Sequence, residues 1–336
     1  MALDGSFLDI LARAAGADQL SREQIVFLLS FPADSPESYQ LMAAARRLSR
    51  QSCSGQAEIH AQFALNLAPC PMNCLYCSFA SANKIFTEST KLSAQQAVES
   101  ALLLERAGAN AVYLMTTADY PFGELLEMGR EVRRHLAPAT PMIANTGDRT
   151  PGEAARLKDA GFDGVYHALR LGEGSVTRIA PEKRLKSMRA FQDAGLVLGT
   201  CVEPIGPEHT NEELADMILL TASLAPAFSG AARRISIPGT ALAEQFGMIT
   251  ELRMAQIVAV TRLATPLTVR GNCTHEPCVL GAAAGANLFW AEIGANPRDT
   301  REKTEEGRGF TVEKCRQLFW DAGCGTLSGP SAYFKA

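Results

Sequence analysis

Three cysteines lie close together in the segment LNLAPCPMNCLYCSFA, residues 65–80. Cys70, Cys74 and Cys77 have the spacing Cys-x3-Cys-x2-Cys and follow a predicted strand. Three thiolates can bind three irons of a 4Fe–4S cluster and leave the fourth iron open. An open iron can bind the amine and carboxylate of S-adenosylmethionine (SAM) and pass it one electron, which yields a radical able to remove an unactivated hydrogen atom. The spacing therefore predicts a cluster-binding loop that works with SAM.

A structural zinc site and a chance run of buried thiols are the alternatives for this loop. Zinc prefers four ligands, and the nearest histidine, His60, precedes the predicted strand. Tyr76 adjoins the last cysteine, and the loop lies at the C-terminal end of a strand, where barrel enzymes place their active sites. Both features favour the cluster.

Eight apolar runs, most of them followed by a helical pattern, would position the loop. The predicted strands are residues 62–68, 111–115, 141–145, 164–169, 196–202, 233–237, 266–270 and 288–293. Capping boxes that start helices are Ser21 with Gln24, Ser93 with Gln96, Thr150 with Glu153, and Thr210 with Glu213. The alternation predicts an α/β fold, a (β/α)8 barrel of the TIM type, with a doubly wound open sheet as the alternative.

The first residues of the chain have a helical pattern without strand-like runs. We expect an N-terminal helical extension over residues 1–60, including a helix over 37–50. The barrel is expected over 61–325, followed by a C-terminal tail over 326–336.

Composition limits the classes of partner. The 336 residues are 47% hydrophobic and carry a net charge of −4, which argues against a nucleic-acid or anionic-membrane surface. No uncharged apolar run approaches the roughly 18 residues of a membrane span, and the N-terminus has Asp4 but no basic segment typical of a signal peptide. Nine cysteines, an odd number, fit a reducing compartment, so we expect a cytoplasmic protein.

Beyond the cysteine loop, roughly residues 20–325 resemble the biotin-synthase group of radical SAM enzymes. This group includes biotin synthase, methylornithine synthase, the radical SAM maturase of FeFe-hydrogenase and a biotin-synthase-like lipoyl synthase. The resemblance implies that Tyr76 and Phe79 flank the adenine of SAM, and that Arg184 of EKRL holds its carboxylate. A solvated arginine in the first turn of a helix is the alternative for Arg184.

Three further segments match the group's SAM site. Ile205 and Gly206 of IGPEHT would meet the adenine through the backbone. Arg170 and Glu173 of ALRLGEG would approach the ribose and carboxylate, or be ordinary surface residues. TTADY, residues 116–120, falls where the superfamily binds the SAM amine but lacks the usual glycines, so its contacts through Thr116, Thr117 and Asp119 are expected only in outline. His167 is either a contact to SAM or substrate or a satisfied barrel histidine.

Biotin synthase binds a second, 2Fe–2S cluster through three strand cysteines and one strand arginine. In this chain Tyr113, Ile143 and Thr200 stand at the cysteine positions, although Cys201 adjoins the last, and Arg270 matches the arginine. A standard biotin synthase is therefore not expected.

Four other cysteines could bind an auxiliary 4Fe–4S cluster, since four thiolates complete one. Cys273 and Cys278 follow the seventh predicted strand, Cys315 and Cys324 bracket the last helix, and Cys201 could replace one of them. Burial of cysteines in the core is the alternative. His275 and Glu276 of the same loop are candidate ligands or substrate contacts.

These possibilities lead to two hypotheses about the reaction. With a second 4Fe–4S cluster, we expect sulfur insertion into unactivated C–H bonds of the kind a lipoyl synthase performs. With one cluster, a carbon-skeleton rearrangement or a step in metallocofactor maturation is expected. The substrate would be a small molecule or an acyl-protein, and the electron donor a ferredoxin or flavodoxin. An iron–sulfur carrier is a third reading, which the SAM-site matches disfavour. Arg298, Arg301 and the loop 305–309 could meet a substrate carboxylate or be solvated.

Overall fold

The computed structural model describes residues 5–16, 18–67, 69–298 and 310–334. The helices are α1 (Gly5–Ala15), α2 (Arg22–Ser30), α3 (Pro36–Ser52), α4 (Ala94–Arg106), α5 (Phe122–His135), α6 (Pro151–Asp159), α7 (Pro181–Asp193), α8 (Asn211–Ser223), α9 (Ala241–Phe246), α10 (Glu251–Ala264), α11 (Val279–Ala283) and α12 (Val312–Asp321). The strands are β1 (Gln56–Ala64), β2 (Asn66–Leu67), β3 (Thr90–Lys91), β4 (Ala111–Met115), β5 (Met142–Asn145), β6 (Gly164–Tyr166), β7 (Val197–Gly199), β8 (Val202–Ile205), β9 (Phe228–Arg233), β10 (Gly271–Thr274), β11 (Leu288–Ile293) and β12 (Gly325–Thr326).

Eight parallel strands close into a barrel surrounded by helices. The order around the ring is β1, β4, β5, β6, β7, β9, β10 and β11, and β11 pairs again with β1. Strand β8 extends the sheet beyond β9, and β12 pairs with the start of β1. The predicted TIM-type barrel is confirmed. The open-sheet alternative is wrong, because β10 pairs with both β9 and β11 and leaves no gap in the ring.

Strand β1 shows how side chains divide between the two faces of the barrel wall. Ile59, Ala61 and Phe63 pack against the surrounding helices, whereas His60 points into the barrel. A ring nitrogen of His60 lies 2.8 Å from the hydroxyl of Tyr113, and the other lies 2.9 Å from Glu58. The barrel is therefore a packed interior rather than a pore, as expected for eight strands.

The sixth and seventh predicted strands are displaced. The sixth is Phe228–Arg233 instead of 233–237, and the seventh is Gly271–Thr274 instead of 266–270. The observed sixth strand contains small residues such as Gly230. A Cβ at Gly230 would lie 2.1 Å from the carbonyl oxygen of Cys273, so this position has no room for a side chain. The apolar run 266–270 is a turn, and Arg262 donates a 2.7 Å hydrogen bond to its Val269 carbonyl. As a result Cys273 lies on a strand and not on the loop after it.

The helix boundaries follow the sequence signals closely. All four predicted capping boxes are present, at Ser21, Ser93, Thr150 and Thr210. The helix expected over 37–50 spans Pro36–Ser52. Local sequence therefore determines these helix starts.

The two ends of the chain pack onto the barrel. Helix α3 packs against α10 and α2 against α8, and β1 begins at Gln56, before the boundary expected at residue 60. Tyr333 and Phe334, from the expected tail, belong to the barrel's inner core. The backbone N–H of Ala332 donates a 2.8 Å hydrogen bond to Glu58 at the start of β1. The C-terminal residues thus close the base of the barrel, opposite the cysteine loop.

Candidate active site

The cysteine loop is held by its own backbone. The N–H of Cys70 donates to the carbonyl of Phe79 at 2.6 Å, and the N–H of Cys77 donates to that of Cys74 at 3.0 Å. The Asn83 amide donates to the Cys77 carbonyl at 2.7 Å. These bonds fold the loop back on itself at the C-terminal end of β1, as the sequence predicts.

The three thiols form a donor set that suits an iron–sulfur cluster. Burial raises the pKa of Cys70 and of Cys74, and it raises that of Cys77 to about 12. Charge on Cys70 also raises the pKa of Cys74, and charge on Cys70 or Cys74 raises the pKa of Cys77. Three thiolates together therefore need a compensating cation, and bound iron provides one. Soft thiolate donors on one loop fit a 4Fe–4S cluster with one open iron.

A cavity of about 200 Å³ connects the cysteine loop with the mouth of the barrel. Cys70, Cys74 and Cys77 line one side of it, and Tyr166, Glu203 and His275 line the barrel side. Of the SAM-site residues predicted from the sequence, seven line this cavity: Tyr76, Phe79, Thr116, Thr117, His167, Arg170 and Arg184. The Tyr76 hydroxyl is buried and has no hydrogen-bond partner within the described part of the chain.

Arg184 is buried in the cavity wall, where it contacts several charged residues. It is 3% exposed, so the alternative of a solvated arginine is wrong. Its guanidinium lies 3.3 Å from Glu173 and 3.3 Å from Asp148. His167 lies 2.9 Å from the same Asp148 carboxylate. Burial and the neighbouring Arg184 lower the pKa of His167 to about 4, so this ring is neutral at pH 7.

Arg170 faces the cavity between the cysteine loop and β8. Its guanidinium lies 3.4 Å from Glu203, and its backbone N–H donates to Glu173 at 3.1 Å. Although burial acts to lower the pKa of Arg170, Tyr76, Glu203 and Glu173 raise it well above the ordinary value. A permanent positive charge therefore stands beside the three thiols.

Other predicted SAM-site residues do not line the cavity. Asp119 is exposed, and Glu173 lies behind Arg170 and Arg184, where it also accepts a 2.7 Å hydrogen bond from Thr177. Ile205 and Gly206 lie behind the adjacent Pro204, which does line the cavity. Of the TTADY segment, the threonines reach the cavity and the aspartate does not.

Gly206 lies against the charged ends of two side chains. A Cβ there would lie 2.3 Å from Glu208 and 2.4 Å from Arg234. The N–H of Gly206 donates to His209 at 2.9 Å. A side chain at this position would therefore have to displace the ion pair of Glu208 and Arg234.

The four cysteines predicted for an auxiliary cluster are separated by the barrel wall. Cys273 points into the inner core, whereas Cys315 lies in the outer core and Cys278 and Cys324 pack against it. Cys278 caps helix α11, and Cys315 lies 3.5 Å from the carbonyl of Trp290. The prediction that these four thiols bind one cluster is wrong, because of the four only Cys273 packs in the barrel's inner core.

Arg270 is not near the cavity either. It lies at the barrel base, where it donates to the carbonyls of Ser52 at 3.2 Å and Ala332 at 2.9 Å. Tyr113 and Ile143 do face the interior, as their alignment with cluster ligands implied. The interior ligand set of biotin synthase is thus absent from these positions in the described structure.

Several polar cavity residues were not predicted from the sequence. Gln62, Asn145, Tyr166 and Glu203 all lie at or near the C-terminal end of a barrel strand. That position is the signal that would have identified them. Of the charged residues after β11, Arg298 lines the cavity and lies 3.1 Å from Glu276, while Arg301 and 305–309 fall outside the described residues.

The comparisons with known proteins agree with this geometry. Residues 69–221 match the family model described as the Radical SAM superfamily. Over these residues, which include the cysteine loop, the chain is similar to enzymes of the radical SAM superfamily.

Among curated relatives, biotin synthase of Mycobacterium leprae is 25% identical over 302 residues, covering 85% of this chain and 82% of that protein. Biotin synthase of Gloeobacter violaceus is 27% identical over 239 residues, covering 66% of this chain and 74% of that protein.

Solved structures show the same fold. Methylornithine synthase superposes with a TM-score of 0.80 at 17% identity, covering 95% of this chain and 97% of that one. The FeFe-hydrogenase maturase HydG of Carboxydothermus hydrogenoformans gives 0.78 at 18% identity, covering 95% and 78%. Within the described residues, no helix is long and apolar enough to cross a membrane.

Proposed function

We propose that this enzyme removes a hydrogen atom from a small charged substrate, whose carbon skeleton then rearranges. The observation that carries the proposal is the cavity joining the cysteine loop to the charged barrel mouth. A 4Fe–4S cluster on Cys70, Cys74 and Cys77 with SAM supplies, when bound, one-electron cleavage of SAM and a 5′-deoxyadenosyl radical that takes the hydrogen. The electron comes from a ferredoxin or flavodoxin.

On the cysteine side of the cavity, the chain's own residues hold SAM. Arg184 and Arg170 present two cations that suit the carboxylate of SAM. Glu173 and Asp148 fix the Arg184 guanidinium from behind, so it needs little reordering when SAM binds. Tyr76 and Phe79 supply flat apolar surface for the adenine.

On the barrel side, the wall is charged. Glu203 lies 3.4 Å from both Arg170 and His275, and Arg298 forms ion pairs with Glu276 and Glu292. A small substrate with charged groups can replace these ion pairs with ion pairs to its own groups. An octanoyl chain has no polar group to offer these ion pairs and would only remove their remaining water, which is unfavourable. The charges therefore favour a small polar molecule over an acyl-protein.

Rearrangement is favoured over sulfur insertion because the thiols expected for a sacrificial cluster do not converge. Sulfur insertion is the second candidate. It is supported by the similarity to biotin synthases along most of the chain. The two candidates differ in product mass, since a rearranged product has the mass of its substrate and an inserted sulfur adds to it.

The test supplies small zwitterions, beginning with α-amino acids, to the anaerobically reconstituted enzyme with SAM and a reductant. An accepted substrate should raise the rate of 5′-deoxyadenosine formation and yield a product of unchanged mass. Glu203→Gln should reduce this stimulation at least about tenfold. It removes a buried carboxylate, and a hydrogen bond to such a charged group contributes about 1.5–3 kcal/mol. Glu124→Gln, which changes a carboxylate paired with Lys91 at the surface, is the control and should behave as the parent.

Two results would contradict the proposal. One is a product that has gained sulfur. The other is stimulation by an octanoylated peptide but by no small zwitterion. Either would make sulfur insertion the better description.

A further inference from the structure

Two thiols and an imidazole meet inside the barrel, below the cavity. The ligand atoms of Cys201, Cys273 and His275 all lie within 4.8 Å of one another. The sulfur atoms of Cys201 and Cys273 are 3.6 Å apart. Both cysteines are 0% exposed, and His275 reaches the cavity.

The barrel brings the two cysteines together on either side of strand β9. Cys201 follows β7, Cys273 lies on β10, and β9 runs between them. The register pairs Cys273 with Gly230 of β9, where a Cβ would lie 2.1 Å from the Cys273 carbonyl oxygen. Because β9 carries no side chain at this level, the two thiols can approach each other.

We propose that Cys201, Cys273 and His275 bind one zinc or ferrous ion, distinct from the cluster on the cysteine loop. Two thiolates about 2.3 Å from a tetrahedral ion lie roughly 3.8 Å apart, close to the observed separation. Two cysteines and one histidine are a donor set that catalytic zinc sites use, with the fourth position open. Thiolate and imidazole donors also suit ferrous iron.

The surroundings of His275 fit a metal ligand. Its Nδ1 lies 3.4 Å from the Glu203 carboxylate, and its Nε2 is buried without a hydrogen-bond partner in the described part of the chain. One ring nitrogen is therefore available to an ion. A carboxylate beside a ligating histidine is the usual way in which the ring is oriented.

The open position of this ion faces the cavity, since His275 lines it. The ion binds one donor group of the substrate, such as a carboxylate, amine or thiol, and fixes the substrate relative to the cysteine loop. This catalytic role rests on the proposed function, whereas binding of the ion does not.

The experiment uses Co2+ as the probe with the full-length, cluster-reconstituted protein, in the absence of SAM and substrate. The spectrum before addition is subtracted. About one cobalt per chain should bind with thiolate-to-cobalt charge-transfer absorption and tetrahedral ligand-field bands. Cys273→Ala should abolish the charge-transfer absorption, and His275→Gln should weaken cobalt binding at least about tenfold.

Two controls locate the signal. Cys278→Ser should retain it, because serine also caps helix α11. A Cys70/Cys74/Cys77→Ala variant should retain it as well, because it removes only the loop thiols. His275 lies at the cavity edge, so its variant still tests the site if Cys273→Ala does not fold.

Absence of thiolate charge transfer in the parent would overturn the proposal. Its loss in Cys278→Ser, or in the loop variant, would overturn it too. None of these readings depends on 5′-deoxyadenosine or product formation, so failure of the metal site and failure of the proposed reaction are distinguishable.

Discussion

The cavity wall contains buried charged residues whose protonation states are set by their neighbours. Asp148 accepts from His167 and pairs with Arg184. Burial acts to raise the pKa of Asp148, but His167 and Arg184 lower it overall. The carboxylate is therefore ionised and the imidazole neutral at pH 7, which leaves Arg184 as the cation of this group.

His167 should make the folded state sensitive to acid. Its pKa falls from 6.5 to about 4 through burial and Arg184. As pH drops below about 6.5, the unfolded chain takes up this proton and the folded chain does not, so the free energy of unfolding decreases by up to roughly 3 kcal/mol by pH 4. In His167→Gln this contribution is gone, and the decrease between pH 7 and about pH 5 should be smaller.

Urea unfolding of the cluster-free chain at several pH values checks this, since cluster loss then does not contribute. Asp148 remains in the variant, so some acid sensitivity should persist. His135→Gln, at the exposed end of α5, is the control and should follow the parent. An equal loss of stability in parent and His167→Gln would contradict the prediction.

For individual residues, the sequence predicted that the three cysteines share one loop but did not predict the residues around them. The spacing of Cys70, Cys74 and Cys77 is local, so sequence alone brings them onto one loop. Asp148 and Glu203 become part of the site only because barrel closure gathers the ends of different strands. Residue type alone gave a wrong prediction for the auxiliary cluster. Cys273 packs in the inner core of the barrel, whereas Cys315 and Cys324 pack outside the strands.

Among the elements, strands β9 and β10 are in unusually close contact. Gly230 has a φ of +142°, a conformation that side chains disfavour. A Cβ there would lie 2.1 Å from the carbonyl oxygen and 2.4 Å from the nitrogen of Cys273. Backbone atoms cannot move aside as a flexible side chain can, so a side chain at Gly230 must displace one strand.

Gly230→Ala should therefore lower the free energy of unfolding by several kcal/mol, which is at the severe end for one substitution. Gly123→Ala is the matched control, because a Cβ on this helical glycine meets nothing within 4 Å. It should be neutral or stabilise the protein by about 0.5–1 kcal/mol. Denaturant midpoints measure both, and equal midpoints in the two variants would contradict the close approach.

The same two strands explain where sequence prediction of elements failed. The run PLTVR has strand-forming residues, yet Arg262 binds the carbonyls of Thr265, Pro266 and Val269 and holds it as a turn. The real strand, Gly271–Thr274, is short and lacks a strong apolar pattern. Tertiary contacts decided both cases, whereas the capped helix starts depended on residues three apart and were predicted.

For the whole molecule, alternation of strands and helices was enough to predict a barrel with its chemistry at the C-terminal ends of the strands. The closed base could not be predicted, because it depends on Tyr333 and Phe334 returning from the far end of the chain to the inner core. The two ends of the barrel thus differ in function. The base is packed for stability, and the mouth holds the cysteine loop and the charged cavity.

The central claim is that Cys70, Cys74 and Cys77 hold the iron–sulfur cluster that this enzyme uses with SAM. The most direct test measures acid-labile sulfide per chain, together with 5′-deoxyadenosine formed from SAM, after anaerobic reconstitution. Parent, Cys70/Cys74/Cys77→Ala and Cys278→Ser should be compared. We expect about four sulfides in the parent and in Cys278→Ser, and almost none in the triple variant, which should form no 5′-deoxyadenosine. About four sulfides remaining in the triple variant, or 5′-deoxyadenosine formed by it, would contradict the account.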